Sequence, residues 1–319
     1  MASEFDLIRR YFSRPAPSAV LGVGDDCALV QATPGMTLAM TTDMLIEGTH
    51  FHAGTDARRL GHKSLAVNLS DLAAMGAEPR WALLSLALPA ADDTWLEAFA
   101  AGFYALAGRH GVDLVGGDTT RGPLAISITA IGEVPSGGAL RRDGARAGDD
   151  IWVSGATGDA ALALAQLAGR VQLPEPVRSQ CLERLEAPEP RVHLGRRLRG
   201  LATSAIDVSD GLLADLGHIL ERSGVGAEVW YAQLPRAPGI AACGDQALAL
   251  ECLTGGGDDY ELLFTAPAHA RSKLVAVGAD LGLALTRIGS IVAGAPPAVL
   301  RDAKGDAISV SRPGFDHFR

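Results

Sequence analysis

Apolar and polar positions alternate along this chain in blocks of two periods. Residues 3–12 place Phe5, Ile8 and Phe12 on one helical face, with Ser3 able to cap and Asp6 three residues on. After the break at Pro15-Ala16-Pro17, a strand is expected over about 37–42, with extended chain continuing through 45–52. Residues 56–75 read as a long helix with Leu65, Leu69 and Leu72 inward and Gly76 as its stop. A buried strand over 81–88 ends at Pro89, and Asp92 caps a helix running to His110 before Gly111. Strands follow near 114–115 and over 125–134.

From Pro135 to Asp149 the composition shifts to Gly, Arg and Asp with few large apolar residues, which places a domain boundary there. The expected domains are 1–136 and 149–319. The second begins with a strand at 151–154 and a helix over 159–167, then two helices punctuated by prolines. A strand at 205–208 precedes a helix over 210–223 with Leu213, Leu216 and Leu220 inward and Gly224 as stop. Strands at 227–231, 260–265, 285–292 and 298–310 alternate with helices at 245–253 and 267–281. Strands follow strands directly in both halves, which favours α+β layers over a doubly wound sheet.

Seven aspartates interrupt these apolar segments: Asp25, Asp26, Asp43, Asp71, Asp118, Asp207 and Asp210. Asp commonly caps helices and fills turns, which suffices for Asp92 and Asp159 and could serve for Asp210. It accounts less well for Asp43 and Asp207 at strand ends and for Asp71 inside a helix. Unpaired buried carboxylates are costly, so several together call for cations. A short, stiff carboxylate suits a small hard ion that shares its shell with water and phosphate, as magnesium does. The working expectation is a magnesium–nucleotide site, although spacing alone leaves the metal open.

Familiar nucleotide and hydrolase signatures are absent: no G-x-x-x-x-G-K-[ST], no third glycine after Gly22-Val23-Gly24, no H-E-x-x-H, no G-x-S-x-G. His50 and His52 on one strand side lack a further ligand nearby, and Arg141 and Arg142 in the boundary segment read as solvated, with an anion-facing role for one of them as the lesser alternative. The net charge of −9 argues against a nucleic-acid binder. No run of 18 apolar residues occurs, and the acidic N-terminus lacks the layout of a signal peptide, so a cytoplasmic protein is expected. Cys27, Cys181, Cys243 and Cys252 show no paired spacing and fit reduced residues.

Taken in order, the motifs resemble the thiamine-monophosphate kinase family over nearly the whole chain. They are Gly24-Asp25-Asp26, Thr41-Thr42-Asp43, Glu47-Gly48-Thr49-His50-Phe51, Asn68-Leu69-Ser70-Asp71, Gly116-Gly117-Asp118-Thr119-Thr120, Asp207-Val208-Ser209-Asp210-Gly211, Asp259-Tyr260-Glu261-Leu262 and Gly314-Phe315-Asp316-His317-Phe318. The resemblance implies a two-domain α+β fold shared with aminoimidazole ribotide synthetase and selenophosphate synthetase. It also implies a homodimer pairing its N-terminal sheets, and an N-terminal domain that binds ATP and magnesium. The implied activity is magnesium-dependent transfer of the ATP γ-phosphoryl to thiamine monophosphate, without a protein nucleophile. Carried over by position, Asp26, Thr41, Thr42, Asp43, Asp71, Asp118, Asp207 and Asp210 would form the magnesium shell. His110, Gly117, Asp118, Arg142 and Ser209 would contact ATP, and His50, Asp258 and Phe315 would hold thiamine monophosphate. The family usually carries Glu where this chain has Asp258. A selenophosphate synthetase would want an N-terminal reactive cysteine and lysine, whereas the first lysine here is Lys63.

Overall fold

The structure is a computed structural model that describes residues 3–310 and 314–315. Residue contacts divide the chain into two units: Met1–Leu72 with Ala77–Gly137, and Ala73–Gly76 with Gly138–Arg319.

The first unit opens with α1 (Glu4–Leu7), whose start is the capping box anticipated from Ser3 and Asp6. The helix does not run on to Phe12 in α form. It widens into a π-helical turn over Ile8–Phe12, closed by the Ser13 N–H donating to the Ile8 carbonyl at 2.9 Å. The wider turn lets the neighbours Tyr11 and Phe12 both reach the interior, while Phe5 stays 70% exposed instead of sharing their face. The sheet comprises β1 (Met36–Ile46), β2 (Glu78–Leu88), β3 (Asp113–Arg121) and β4 (Ala125–Pro135), in the order β1-β4-β2-β3. Only the β2–β3 pair is parallel. Between β1 and β2 lies α2 (Ala57–Ala74), and between β2 and β3 lies α3 (Asp93–His110). Asp92 caps α3 by accepting the Thr94 and Trp95 N–H groups, and Gly111 ends it in a left-handed conformation. Trp81, Phe99, Phe103, Leu65, Leu69 and Leu72 are fully buried, each contributing on the order of 2 kcal/mol by leaving water.

Along β1 the alternation is clean but its outward face is apolar: Met40, Met44 and Ile46 are exposed with Thr42 between them. Their partners on β4, Ile131, Thr129, Ser127 and Ala125, are only partly covered. The expected extended segment 45–52 instead turns at 47–50, where the Gly48 N–H donates to the Phe51 carbonyl at 2.8 Å.

In the second unit the sheet runs β10-β7-β9-β5-β8-β6. Its strands are β5 (Asp149–Ser154), β6 (Ser204–Asp207), β7 (Gly226–Trp230), β8 (Leu262–Pro267), β9 (Leu285–Val292) and β10 (Ala298–Arg301). All neighbours are antiparallel except β10 and β7. The helices are α4 (Asp159–Leu167), α5 (Val177–Glu186), α6 (Val192–Leu198), α7 (Leu212–Ser223), α8 (Pro238–Ala242), α9 (Gln246–Gly255) and α10 (Arg271–Leu281). Leu212, Leu216, Ile219 and Leu220 of α7 pack with Ile206, Val229 and Leu263 of the sheet in one core. Mixed layers of this kind are the α+β class that the succession of strands implied. The last strand stops at Arg301, short of the expected 310, because the chain turns back through the Asp302–Asp306 hydrogen bonds.

Two aspartates read as caps do other work. Asp159 begins α4 but turns its carboxylate to the Gly239 and Ile240 N–H groups (3.2 and 3.0 Å), so it caps α8 across 80 residues. Asp210 is not the cap of α7, whose N-cap is Gly211 with no side-chain cap hydrogen bond.

Candidate active site

In the first unit, strand alternation decides which motif residues meet. Thr41 and Asp43 point the same way on β1, toward α2. There the Thr41 hydroxyl donates to an Asp71 oxygen, and the Asp43 N–H donates to the Asn68 side-chain carbonyl at 3.1 Å. Asn68 is fully buried and anchored in turn by donating its amide to the Ser64 carbonyl at 3.1 Å. It therefore ties strand to helix at the point where the two carboxylates face each other. Burial pushes the Asp43 carboxyl up to about 6, and the Asp71 charge adds to the rise. Thr42, expected in the same metal shell, faces the opposite side of the sheet. Its hydroxyl hydrogen-bonds the Ile128 carbonyl and the Thr129 hydroxyl there. The period of two along a strand forbids three consecutive side chains from converging.

A cavity of about 1030 Å³ also lies in this unit, between the N-terminal helical turns, the 23–30 segment and the sheet. Asp25 and Asp26 share its wall with Gly117 and Asp118. The 20–29 loop is held as a small hairpin by hydrogen bonds between Leu21 and Leu29 at 2.9 and 3.1 Å. Opposite it, β3 slips one residue in its pairing with β2 between Leu114 and Gly116. That bulge re-aims the segment carrying Gly117 and Asp118. Gly117 has φ +146°, and a Cβ there would lie 1.8 Å from the Leu84 carbonyl oxygen, so no other residue fits. Asp43 and Asp71 are not among the cavity's lining residues. Nor is His110, the last residue of α3, expected near ATP. His50 sits in the turn after β1 and accepts the Ile46 N–H at Nδ1, 3.0 Å. His52 is exposed, so the two do not form a strand pair.

In the second unit, three expected site segments come together through their main chains. Asp207 ends β6, buried, and the loop 208–211 follows. Tyr260 donates its N–H to the Val208 carbonyl at 2.8 Å, Asp258 to Ser209 at 2.9 Å, and Phe315 to Asp210 at 2.9 Å. Asp258 and Phe315, expected on the acceptor side, are thus seated directly on the loop that carries Ser209 and Asp210. The approach is close enough that a Cβ at Gly257 would stand 2.2 Å from the Ser209 carbonyl oxygen. Asp258 and Tyr260 both have positive φ, +67° and +51°, and the Tyr260 hydroxyl bonds an Asp258 oxygen at 3.1 Å. Sparsely populated backbone at two non-glycine residues within three is strain that the surrounding loop must hold in place. Asp316, His317 and Phe318 of the terminal motif lie outside the described residues.

Buried charges brace this region. Glu261, fully buried, accepts from Arg191 Nε at 2.6 Å, Arg184 at 2.7 Å and the Ser154 hydroxyl at 2.6 Å. Burial raises the Asp259 carboxyl well above its ordinary value, against the Gly158 N–H that reaches both its oxygens at 2.9 Å. Asp215, in the first turn of α7, accepts the Ser209, Asp210 and Gly211 N–H groups at 3.1 Å each. Burial pushes it up to about 7. Asn68 and Tyr260 lie in the sequence motifs without a role of their own, and Asp215 lies in none; a buried Asn or Asp within a helix is the signal that could have found Asn68 and Asp215. Arg142 is exposed in the segment before β5, where its carbonyl accepts the Ser223 hydroxyl at 2.9 Å.

Among the described residues, no three His, Cys, Asp or Glu side chains stand close enough to hold a metal by themselves. No described helix is long and apolar enough to cross a membrane.

Comparison with known proteins agrees along the whole chain. Residues 24–134 match the family "AIR synthase related protein, N-terminal domain". A thiamine-monophosphate kinase of Salmonella typhimurium is 45% identical over 321 residues, covering 99% of this chain and 98% of that protein. A crystal structure of thiamine-monophosphate kinase from Stenotrophomonas maltophilia K279a superposes with a TM-score of 0.85 at 48% identity, covering 95% of each chain. AaThiL complexed with AMPPCP and TMP superposes with a TM-score of 0.78 at 31% identity, covering 90% of this chain and 89% of that one. Identity of this extent over 99% of the chain goes far beyond a shared fold: the chain belongs to the thiamine-monophosphate kinase family.

Proposed function

We propose that this chain transfers the γ-phosphoryl of ATP directly to the phosphate of thiamine monophosphate, giving thiamine diphosphate and ADP. The observation that carries the reading is the seating of Asp258 and Phe315 on the 208–211 loop. It joins positions matched to the acceptor with positions matched to ATP and metal. The complex of AaThiL with AMPPCP and TMP supports both ligands.

The acceptor needs no protein base. A phosphate monoester with a second pKa of about 6 is mostly dianionic at neutral pH and already nucleophilic. The protein's task is to bring two anions together and orient them.

Magnesium fits the residues present. Burial and the Asp71 charge both oppose ionisation of Asp43, and a divalent cation would reverse that balance. Thr41, Asp43 and Asp71 in the first unit, Asp26 and Asp118 at the cavity, and Asp207 and Asp210 in the second unit would hold such ions. When bound, they would neutralise the phosphates and keep donor and acceptor in line. Gly117, closed against the Leu84 carbonyl on its Cβ side, would offer the cavity its main chain, and Ser209 would offer the nucleotide a hydroxyl. Asp258, a methylene shorter than the family's usual Glu, and Phe315 are assigned to the acceptor in the second unit, and His50 is assigned to it in the first.

We further propose a homodimer paired through the exposed face of β1, where Met40, Met44 and Ile46 form an apolar row interrupted by Thr42. Four free cysteines and a substrate pair of ATP and a vitamin phosphate fit work in the cytoplasm.

The test is magnesium-dependent ADP release with thiamine monophosphate, thiamine or neither, with the product identified by chromatography. Release only with thiamine monophosphate, together with thiamine diphosphate, is expected. Release independent of acceptor would overturn the reading.

A further inference from the structure

The Asp215 carboxylate is placed unusually for a helical residue. It occupies the fourth position of α7, whose N-cap is Gly211. A capping-box acid at the third position reaches back only to the N-cap N–H. Asp215 reaches further: Oδ2 accepts the Gly211, Asp210 and Ser209 N–H groups, all at 3.1 Å. Two of these amides precede the helix cap, so the carboxylate braces the loop rather than completing the helix. Three successive peptide groups converging on one oxygen fix three peptide planes at once. Those same peptides carry the Ser209 and Asp210 side chains on one side. On the other, the Ser209 and Asp210 carbonyls receive the Asp258 and Phe315 N–H groups. One buried atom therefore lies behind both the metal- and nucleotide-facing residues and the acceptor-facing ones.

We propose that Asp215 is a positioning residue that sets the 208–211 loop for metal–nucleotide and acceptor simultaneously. The assignment rests on the kinase reading above. Its signature is coupling: removing Asp215 weakens metal and acceptor together, whereas a residue serving one ligand moves only that one.

The experiment compares Asp215→Ala, Asp215→Asn and Asp215→Glu with Leu220→Ala. Leu220 is fully buried on the same helix and belongs to the core rather than to the loop contacts. Binding of Mn²⁺ with a non-hydrolysable ATP analogue is followed by the paramagnetic signal of free Mn²⁺. The KM for thiamine monophosphate and the thermal midpoint are measured alongside. Asp215→Ala is expected to weaken Mn²⁺ binding and raise the acceptor KM by about tenfold or more each. Asn, isosteric and still an acceptor through Oδ1, should recover both to within about threefold, with Glu intermediate because its oxygen is displaced by a methylene. Leu220→Ala should lower the thermal midpoint while moving neither. Equal shifts in Asp215→Ala and Leu220→Ala, or unchanged metal and acceptor values in Asp215→Ala, would overturn the proposal. If Asp215→Ala does not fold, Asp215→Glu carries the same comparison, and metal and acceptor values equal to wild type overturn it. Acceptor-independent ADP release by the wild type would break the kinase reading alone, because the Mn²⁺ arm still decides the role of Asp215.

Discussion

Asp43 in the first unit and Asp259 in the second are both carboxylates raised by burial, yet they face opposite surroundings. Asp259 is met by the Gly158 N–H on both oxygens and by the Arg184 charge, which favour its ionised form against burial and the Glu261 and Asp159 charges. Asp43 has another carboxylate beside it, and its environment contains only effects that resist ionisation. Asp259 thus has a donor and a positive charge of its own within the protein. For Asp43 the counter-charge would come from the proposed cation. Burial of an acid does not by itself mark a site; what faces the acid does.

Replacing Asp43 tests that contrast most sharply. Asp43→Asn should cut phosphoryl transfer by about a hundredfold or more while the metal-free protein becomes more stable. The sign follows from the raised carboxyl. Its contribution to stability is fully present below the ordinary 3.8 and is lost as pH rises through about 6. Metal-free wild type should therefore lose about 2 to 3 kcal/mol between pH 4 and pH 7 that Asp43→Asn retains, read from urea unfolding. Equal slopes for the two proteins would mean that Asp43 is already balanced without metal.

A smaller effect is expected from opening the loops of the second unit. Gly257→Ala drives a methyl against the Ser209 carbonyl, 2.2 Å from where the Cβ must stand. Separating the loops should cost about 1 to 3 kcal/mol of stability and about tenfold in kcat/KM for thiamine monophosphate. Wild-type kinetics in that variant would show that the seating of Asp258 on Ser209 is not needed. The smallest change belongs to Thr42, whose hydroxyl faces away from Asp43 and Asp71. Thr42→Val should stay within about threefold of wild-type activity. A loss above about tenfold would bring Thr42 back into the metal shell.

Helix limits were legible wherever the signal was local. Asp92 and Gly111 bracket α3, and Ser3 with Asp6 starts α1, because caps are set by residues three or four apart. What escaped the sequence depends on partners far along the chain. Asp159 looks like a cap for its own helix and serves another 80 residues on. Asp210 sits at the expected cap position, but Asp215 holds that turn. Thr41-Thr42-Asp43 reads as one motif, yet the strand splits it between two faces. The motif residues were recognisable through resemblance, whereas their grouping is a property of register and loop contact.

The exposed row on β1 carries a consequence for handling the protein. Under the proposed pairing, folding and association are one equilibrium, so dilution itself acts as a denaturant. Each tenfold drop in concentration would remove about 1.4 kcal/mol from the apparent stability of the pair. Melting curves of this chain would then shift with the amount in the cuvette, and Met40→Glu, by placing a charge in the row, would flatten that dependence.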